Sequence, residues 1–135
     1  QMGGSLILET TFLADLEREV LTGKAGPAHG FLENHPDAEL CIALTTAGEM
    51  ACGPRLREQN AWGRLVKRFR LLTPDLKAAW IYGQTYRYLR DNGLLIGAND
   101  LWIAAVAIAH GLPLVTRDGS HFMRVPGLEV LSYGS

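Results

Sequence analysis

No stretch of this chain is apolar for long enough to cross a bilayer. The longest run, Leu101 to Ala109, falls well short of the ~20 residues a membrane helix needs. Cysteine is nearly absent: Cys41 and Cys52 make no C-x-x-C spacing, which excludes a disulfide framework and a thiolate metal site. Cys41, inside an apolar run, reads as a buried thiol in a reducing compartment. Neither sign of charge is in excess, with 13 Lys and Arg against 14 Asp and Glu. That excludes an obligate electrostatic nucleic-acid binder, whose domain is strongly basic, but not an enzyme that grips a short RNA or DNA stretch with a few local arginines. Repeats and low-complexity segments are also missing. Gln1 to Ser5 lacks the apolar core of a signal peptide and reads as a cloning scar or disordered start. The expectation is one cytoplasmic domain over residues 6–135, with no membrane partner.

What is present suits a compact fold: 47% hydrophobic and 20% charged residues, in the range of globular domains. At this length a single core buries roughly two-thirds of the unfolded surface. Leu6-Ile7-Leu8, Leu40 to Leu44, Leu112 to Val115 and Glu129 to Leu131 read as four strands. Helical spacing is expected from Thr10 or Thr11 as cap to about Leu21, over Ala28 to Asn34, after Thr45-Thr46, over Arg55–Arg70, over Pro74–Asn92, and from Asn99-Asp100 to His110. Strands alternating with helices predict an α/β fold with a parallel sheet, and ligands bind such sheets outside the carboxyl ends of the strands.

Four acids fall near those ends. Glu9 closes the first strand, Glu49 lies early in the helix after the second, Asp100 starts the helix before the third, and Asp118 follows that third strand. Carboxylates held together repel one another and resist burial, so such a cluster calls for cations; oxygen-only ligands suit Mg²⁺ or Mn²⁺. Each acid also has a purely structural reading. Glu49 stands at capping-box spacing from Thr46, Asp100 is a helix N-cap or first-turn acid, Asp118 precedes Gly119 in a turn dipeptide, and Glu9 is an incidental acid at a strand exit.

The stretches LILETTFLADLERE (6–19), TTAGEMACG (45–53), IGANDLWIAAVAIAHGLPLVTRDGSHF (96–122) and RVPGLEVL (124–131) run in the order of a known family. The chain resembles PIN-domain proteins, in particular the VapC-type toxins of bacterial toxin–antitoxin pairs. The resemblance implies a three-layer α/β/α PIN-like fold with a short central parallel sheet, and a Mg²⁺- or Mn²⁺-dependent endoribonuclease. It also implies a cognate VapB-type antitoxin that blocks the site, and a homodimer. It places the family's acids on Glu9, Glu49, Asp100 and Asp118, with Glu9 and Asp100 as direct metal ligands and the other two direct or through water. Thr10, Thr11, Asn99 and Thr116 would orient those ligands. Arg117, by its position, would meet substrate phosphate at the rim or else simply hold a loop.

Glu9 departs from the pattern, which has aspartate there. The extra C–C bond adds about 1.5 Å of reach, while Mg²⁺ demands ligand distances near about 2.1 Å. A tolerated variant, a weakened enzyme and a deliberate detoxifying substitution are the three readings. The weakened form gives a rival function, a PIN domain that binds RNA or protein without cutting. A receiver-like or phosphatase-like α/β domain is a more distant rival, since it needs an aspartate at the first strand end. Lys67, Arg68, Arg70, Arg87 and Arg90 read mainly as solvated helix faces. Trp62, Phe69, Trp80 and Trp102 read as core or dimer contacts, and His29, His35 and His121, without ligand spacing, as surface or satisfied histidines.

Overall fold

The computed structural model describes residues 4–117 and 119–133. Among them, five strands form one sheet: β1 Ser5–Leu8, β2 Glu39–Ala43, β3 Arg70–Leu72, β4 Leu114–Thr116 and β5 Val130–Ser132. Their order is β3-β2-β1-β4-β5, and every neighbouring pair is parallel. The helices are α1 Thr10–Thr22, α2 Pro27–Glu33, α3 Leu44–Ala51, α4 Gln59–Val66, α5 Leu76–Asp91 and α6 Ala98–His110.

Strand residues alternate between two faces, and each face has its own helices. Ile7, Cys41, Ala43, Leu72 and Leu114 pack with Ala78 and Leu89 of α5 and Leu101, Ile103 and Val106 of α6. Leu6, Leu8, Ile42 and Val115 face Phe12 and Leu13 of α1, Ala28 of α2, and Ala47 and Met50 of α3. Both faces of the central strands are therefore buried, which is why those strands read as unbroken apolar runs. The result is the expected α/β/α sandwich.

The structure corrects four local expectations. A single helix over 55–70 does not form: a 3-10 turn at Pro54–Leu56 precedes α4, and the chain then enters β3. This fifth strand is short and lies at the sheet edge, where Arg70 and Leu71 stay exposed. Neither Thr10 nor Thr11 caps α1; Glu9 occupies the cap position, with no side-chain cap bond. Thr46 and Glu49 form no capping box, because α3 begins at Leu44 with Ala43 at its cap. Among the described residues, the buried Thr46 Oγ1 has no hydrogen-bond partner.

Chain direction places the site. From β1 the chain builds outward through β2 and β3, then returns to the other side of β1 with β4 and β5. The order reverses between β1 and β4, and this crevice is where parallel sheets bind ligands. Glu9 leaves β1 at that point, and Thr116 ends β4 beside it.

Candidate active site

Glu9 is buried, at 5% exposure, so its carboxylate needs donors. Two hydroxyls supply them on one oxygen: Thr11 donates to Oε1 at 2.5 Å and Thr116 at 2.6 Å. The first comes from the opening turn of α1 and the second from the end of β4. Among the described residues, Glu9 Oε2 takes no hydrogen bond.

Glu49 reaches the same edge from α3. Thr10 donates to its Oε1 and the Asn99 amide donates to its Oε2 at 3.3 Å. The two threonines expected to cap α1 thus serve two different acids. Asp100 sits in the first turn of α6, whose cap is Gly97, where the helix dipole favours negative charge. His121 Nε2 lies 3.2 Å from Asp100 Oδ2.

Electrostatics ties the three acids together. Burial pushes the Asp100 carboxyl above its ordinary range, the charge on Glu9 adds to this, His121 opposes it, and Glu49 adds again. The carboxylates therefore feel one another across the crevice. Even so, among the described residues no group of three or more His, Cys, Asp or Glu side chains stands close enough to hold a metal ion. Asp118, the fourth acid expected here, lies outside the described residues.

Arg117 does not reach into the crevice. Its guanidinium turns to α1 and pairs with Asp15 Oδ1 at 2.8 Å, while its backbone N–H donates to Thr11 Oγ1 at 3.4 Å. A groove of about 230 Å³ opens beside Thr10 and Glu49, with Leu13, Met50, Leu56 and Leu65 among its walls.

Comparison with known proteins agrees with this architecture. The family model described as PIN domain matches residues 6–128. The chain belongs to the PIN-domain family. Ribonuclease VapC of Rickettsia bellii is 30% identical over 135 aligned residues, spanning 94% of this chain and 95% of that protein. Ribonuclease VapC1 of Rickettsia felis is 31% identical, spanning 96% and 97%. The crystal structure of VapBC2 from Rickettsia felis, bound to a DNA fragment from its promoter, superposes with a TM-score of 0.77. That match has 21% identity and covers 96% of this chain and 98% of the other. At that identity the likeness speaks for the PIN fold alone.

Sequence reasoning missed two features of this PIN domain. His121 is a satisfied histidine, as expected, but its partner, Asp100, was not foreseen; the one signal was its place in the loop after β4, at the carboxyl edge. The second is a pair of buried acids further along α1, Asp15 and Glu19. Asp15 accepts from Arg18, Arg117 and Tyr133. Glu19 accepts from the backbone N–H groups of Gly26, Ala28 and His29 and pairs with His29 Nδ1 at 2.6 Å. Glu19 thereby closes the N-terminus of α2, a cap supplied from another helix that no local motif announces. Of the other histidines and tryptophans, His35 Nδ1 bonds the Phe31 carbonyl, Trp62 donates to the Ala47 carbonyl, and Trp80 is 63% exposed.

Proposed function

We propose that this chain is a metal-dependent endoribonuclease of the VapC kind, the toxin of a toxin–antitoxin pair acting in the cytoplasm. The observation that carries the reading is the gathering of Glu9, Glu49 and Asp100 at one edge of the sheet; burial first, and then the charges of Glu9 and Glu49, raise the Asp100 carboxyl there. The relatives named as ribonucleases support the choice of RNA.

In kind, the donors fit a hard divalent cation: they are carboxylates whose mutual repulsion a positive ion relieves. Glu9 and Asp100 would hold it, since each keeps one oxygen without a hydrogen bond among the described residues. Both oxygens of Glu49 are engaged by Thr10 and Asn99, which favours contact through water; Asp118, which follows β4 in the sequence, is the fourth acid of the proposal. Bound there, Mg²⁺ or Mn²⁺ supplies an activated water and neutralises charge at the scissile phosphate.

The protein's own part is orientation. Thr11 and Thr116 clamp one oxygen of Glu9 and leave the other for the site. Thr10 and Asn99 fix Glu49 from two elements, and His121 restrains Asp100. Such outer partners set how well the inner acids perform. Arg117 meets RNA phosphate only if it leaves Asp15.

A VapB-type antitoxin is the proposed partner, by analogy with the VapC ribonucleases to which the chain is similar. A homodimer is supported by Leu76 and Trp80 on α5, which are 89% and 63% exposed; large apolar side chains grouped at a surface mark contact sites.

The test is Mn²⁺-dependent cleavage of a structured RNA pool by this chain and by Glu9→Asp. Cleavage by both means that glutamate serves, and cleavage by Glu9→Asp alone means that the scaffold is a nuclease weakened by the longer side chain. Cleavage by neither, with no metal binding in calorimetry, sinks the proposal.

A further inference from the structure

Asp15 lies less than two helical turns beyond Glu9 on α1, and its side chain is only 5% exposed. A carboxylate so buried must be compensated, and three donors do it. Arg18 Nη2 and Arg117 Nη1 donate to Oδ1 at 2.5 and 2.8 Å, and the Tyr133 hydroxyl donates to Oδ2 at 2.5 Å. Arg18 is local to the helix. The other two arrive from far along the chain, Arg117 just after β4 and Tyr133 just after β5.

Those two residues also touch what grips Glu9. The Arg117 backbone N–H donates to Thr11 Oγ1, and Thr11 in turn donates to Glu9 Oε1. Thr116, the second hydroxyl on that oxygen, is the immediate neighbour of Arg117 and accepts at its carbonyl from the Tyr133 backbone N–H at 3.3 Å. The Tyr133 hydroxyl also lies 3.4 Å from the Thr11 carbonyl. Both hydroxyls that hold Glu9 are thus set by segments tied to Asp15.

We propose that Asp15 is a positioning residue for RNA cleavage: by anchoring Arg117 and Tyr133 to α1, it fixes the Thr11 and Thr116 hydroxyls on Glu9. The inference rests on the reading of Glu9 as an active-site acid. It assigns Arg117 the role of a strut and not that of a phosphate contact. Charge matters as well as shape, because charge-assisted hydrogen bonds are roughly twice as strong as neutral ones. Asn at position 15 keeps the shape and loses the charge.

The experiment compares the full chain with Asp15→Asn, Arg117→Ala and the double variant. Three readouts are taken: kcat and KM on a short RNA with Mn²⁺, thermal unfolding, and the carboxyl ¹³C resonance of Glu9, assigned by its loss in Glu9→Gln. Each single variant should lower kcat about tenfold, the scale seen for supporting partners of an active site, with KM little changed. The double variant should be no worse than either single one, since both break the same connection. The Glu9 resonance should move in each. Should Asp15→Asn fail to fold, Tyr133→Phe removes one donor only and should shift the resonance the same way by less.

A raised KM with unchanged kcat in Arg117→Ala would mean direct RNA contact and overturn the strut. Additive losses in the double variant, or an unmoved Glu9 resonance in folded protein, would overturn it as well. Where neither the parent chain nor its Glu9→Asp form cuts RNA, the nuclease reading fails by itself. The resonance then still decides the connection, for it if it moves and against it if it stays.

Discussion

Thr116 donates its hydroxyl to Glu9 Oε1 at 2.6 Å across 107 positions of sequence. The bond joins the end of β4 to the end of β1, the two strands that flank the reversal of sheet order. Thr116→Val keeps the branched shape and removes the donor, leaving Thr11 alone on that oxygen. Cleavage should fall about tenfold while the protein still unfolds cooperatively. An unchanged kcat in a folded Thr116→Val protein would show that this clamp does not matter to the chemistry.

Thr46 has a buried hydroxyl with no partner among the described residues. An unsatisfied buried polar group is a stability penalty, and Thr46→Val removes it with little change of shape or helix propensity. The variant should gain roughly 1 kcal/mol, read from urea unfolding. A capping role for Thr46 would give a loss of similar size, so the sign alone decides.

Gly26 is fixed by closeness to Glu19. A Cβ added there would stand 2.7 Å from Glu19 Oε2, and that oxygen belongs to a carboxylate held by three backbone N–H groups and His29. The side chain cannot swing aside without breaking them. Gly26→Ala should therefore destabilise the protein by about 1–3 kcal/mol, measured as a lowered urea midpoint with an unchanged slope.

Glu19 also gives a pH dependence. Burial alone would raise its carboxyl, but the bonds from His29, Ala28 and Gly26 outweigh this and hold it at about 2, against an ordinary value of 4.5. The folded state therefore releases the proton more readily than the unfolded state. Its contribution is fully present above the ordinary value and is lost as pH falls from there towards about 2. Stability measured at about pH 5 and again at low pH should fall less in Glu19→Gln than in the parent. Equal losses in the two proteins would remove Glu19 from the acid response.

How much of this could be read from the sequence depended on the range of the interaction. Leu6-Ile7-Leu8 and Leu112 to Val115 are apolar because both sheet faces are covered, so the central strands were legible. Arg70-Leu71-Leu72 was not, because a three-residue edge strand with two exposed residues carries neither alternation nor a buried run. The expected helix ended on Arg70, and Leu71-Leu72 fell between two expected helices. The acids at the strand ends followed from topology, and the resemblance to PIN domains named the same positions. Their partners did not follow. Thr10 and Thr11 have the local look of caps, yet their hydroxyls go to Glu49 and Glu9, one of them 39 positions away. His121 with Asp100 and Asp15 with Arg117 and Tyr133 are likewise long-range pairs with no spacing rule to reveal them.

If the converging carboxylates hold the metal that cuts RNA, Asp100 is indispensable, and Asp100→Asn is the variant to make. Burial and the neighbouring charges make an ionised Asp100 unfavourable to the fold, so the neutral amide should leave stability equal or higher. Loss of activity then cannot be put down to unfolding. With Mn²⁺ and a structured RNA pool, the parent chain, or its Glu9→Asp form if glutamate weakens it, should cleave. The same protein carrying Asp100→Asn should not, and should melt at or above its parent's temperature. Undiminished cleavage by a folded Asp100→Asn protein would mean that RNA is not cut at this site.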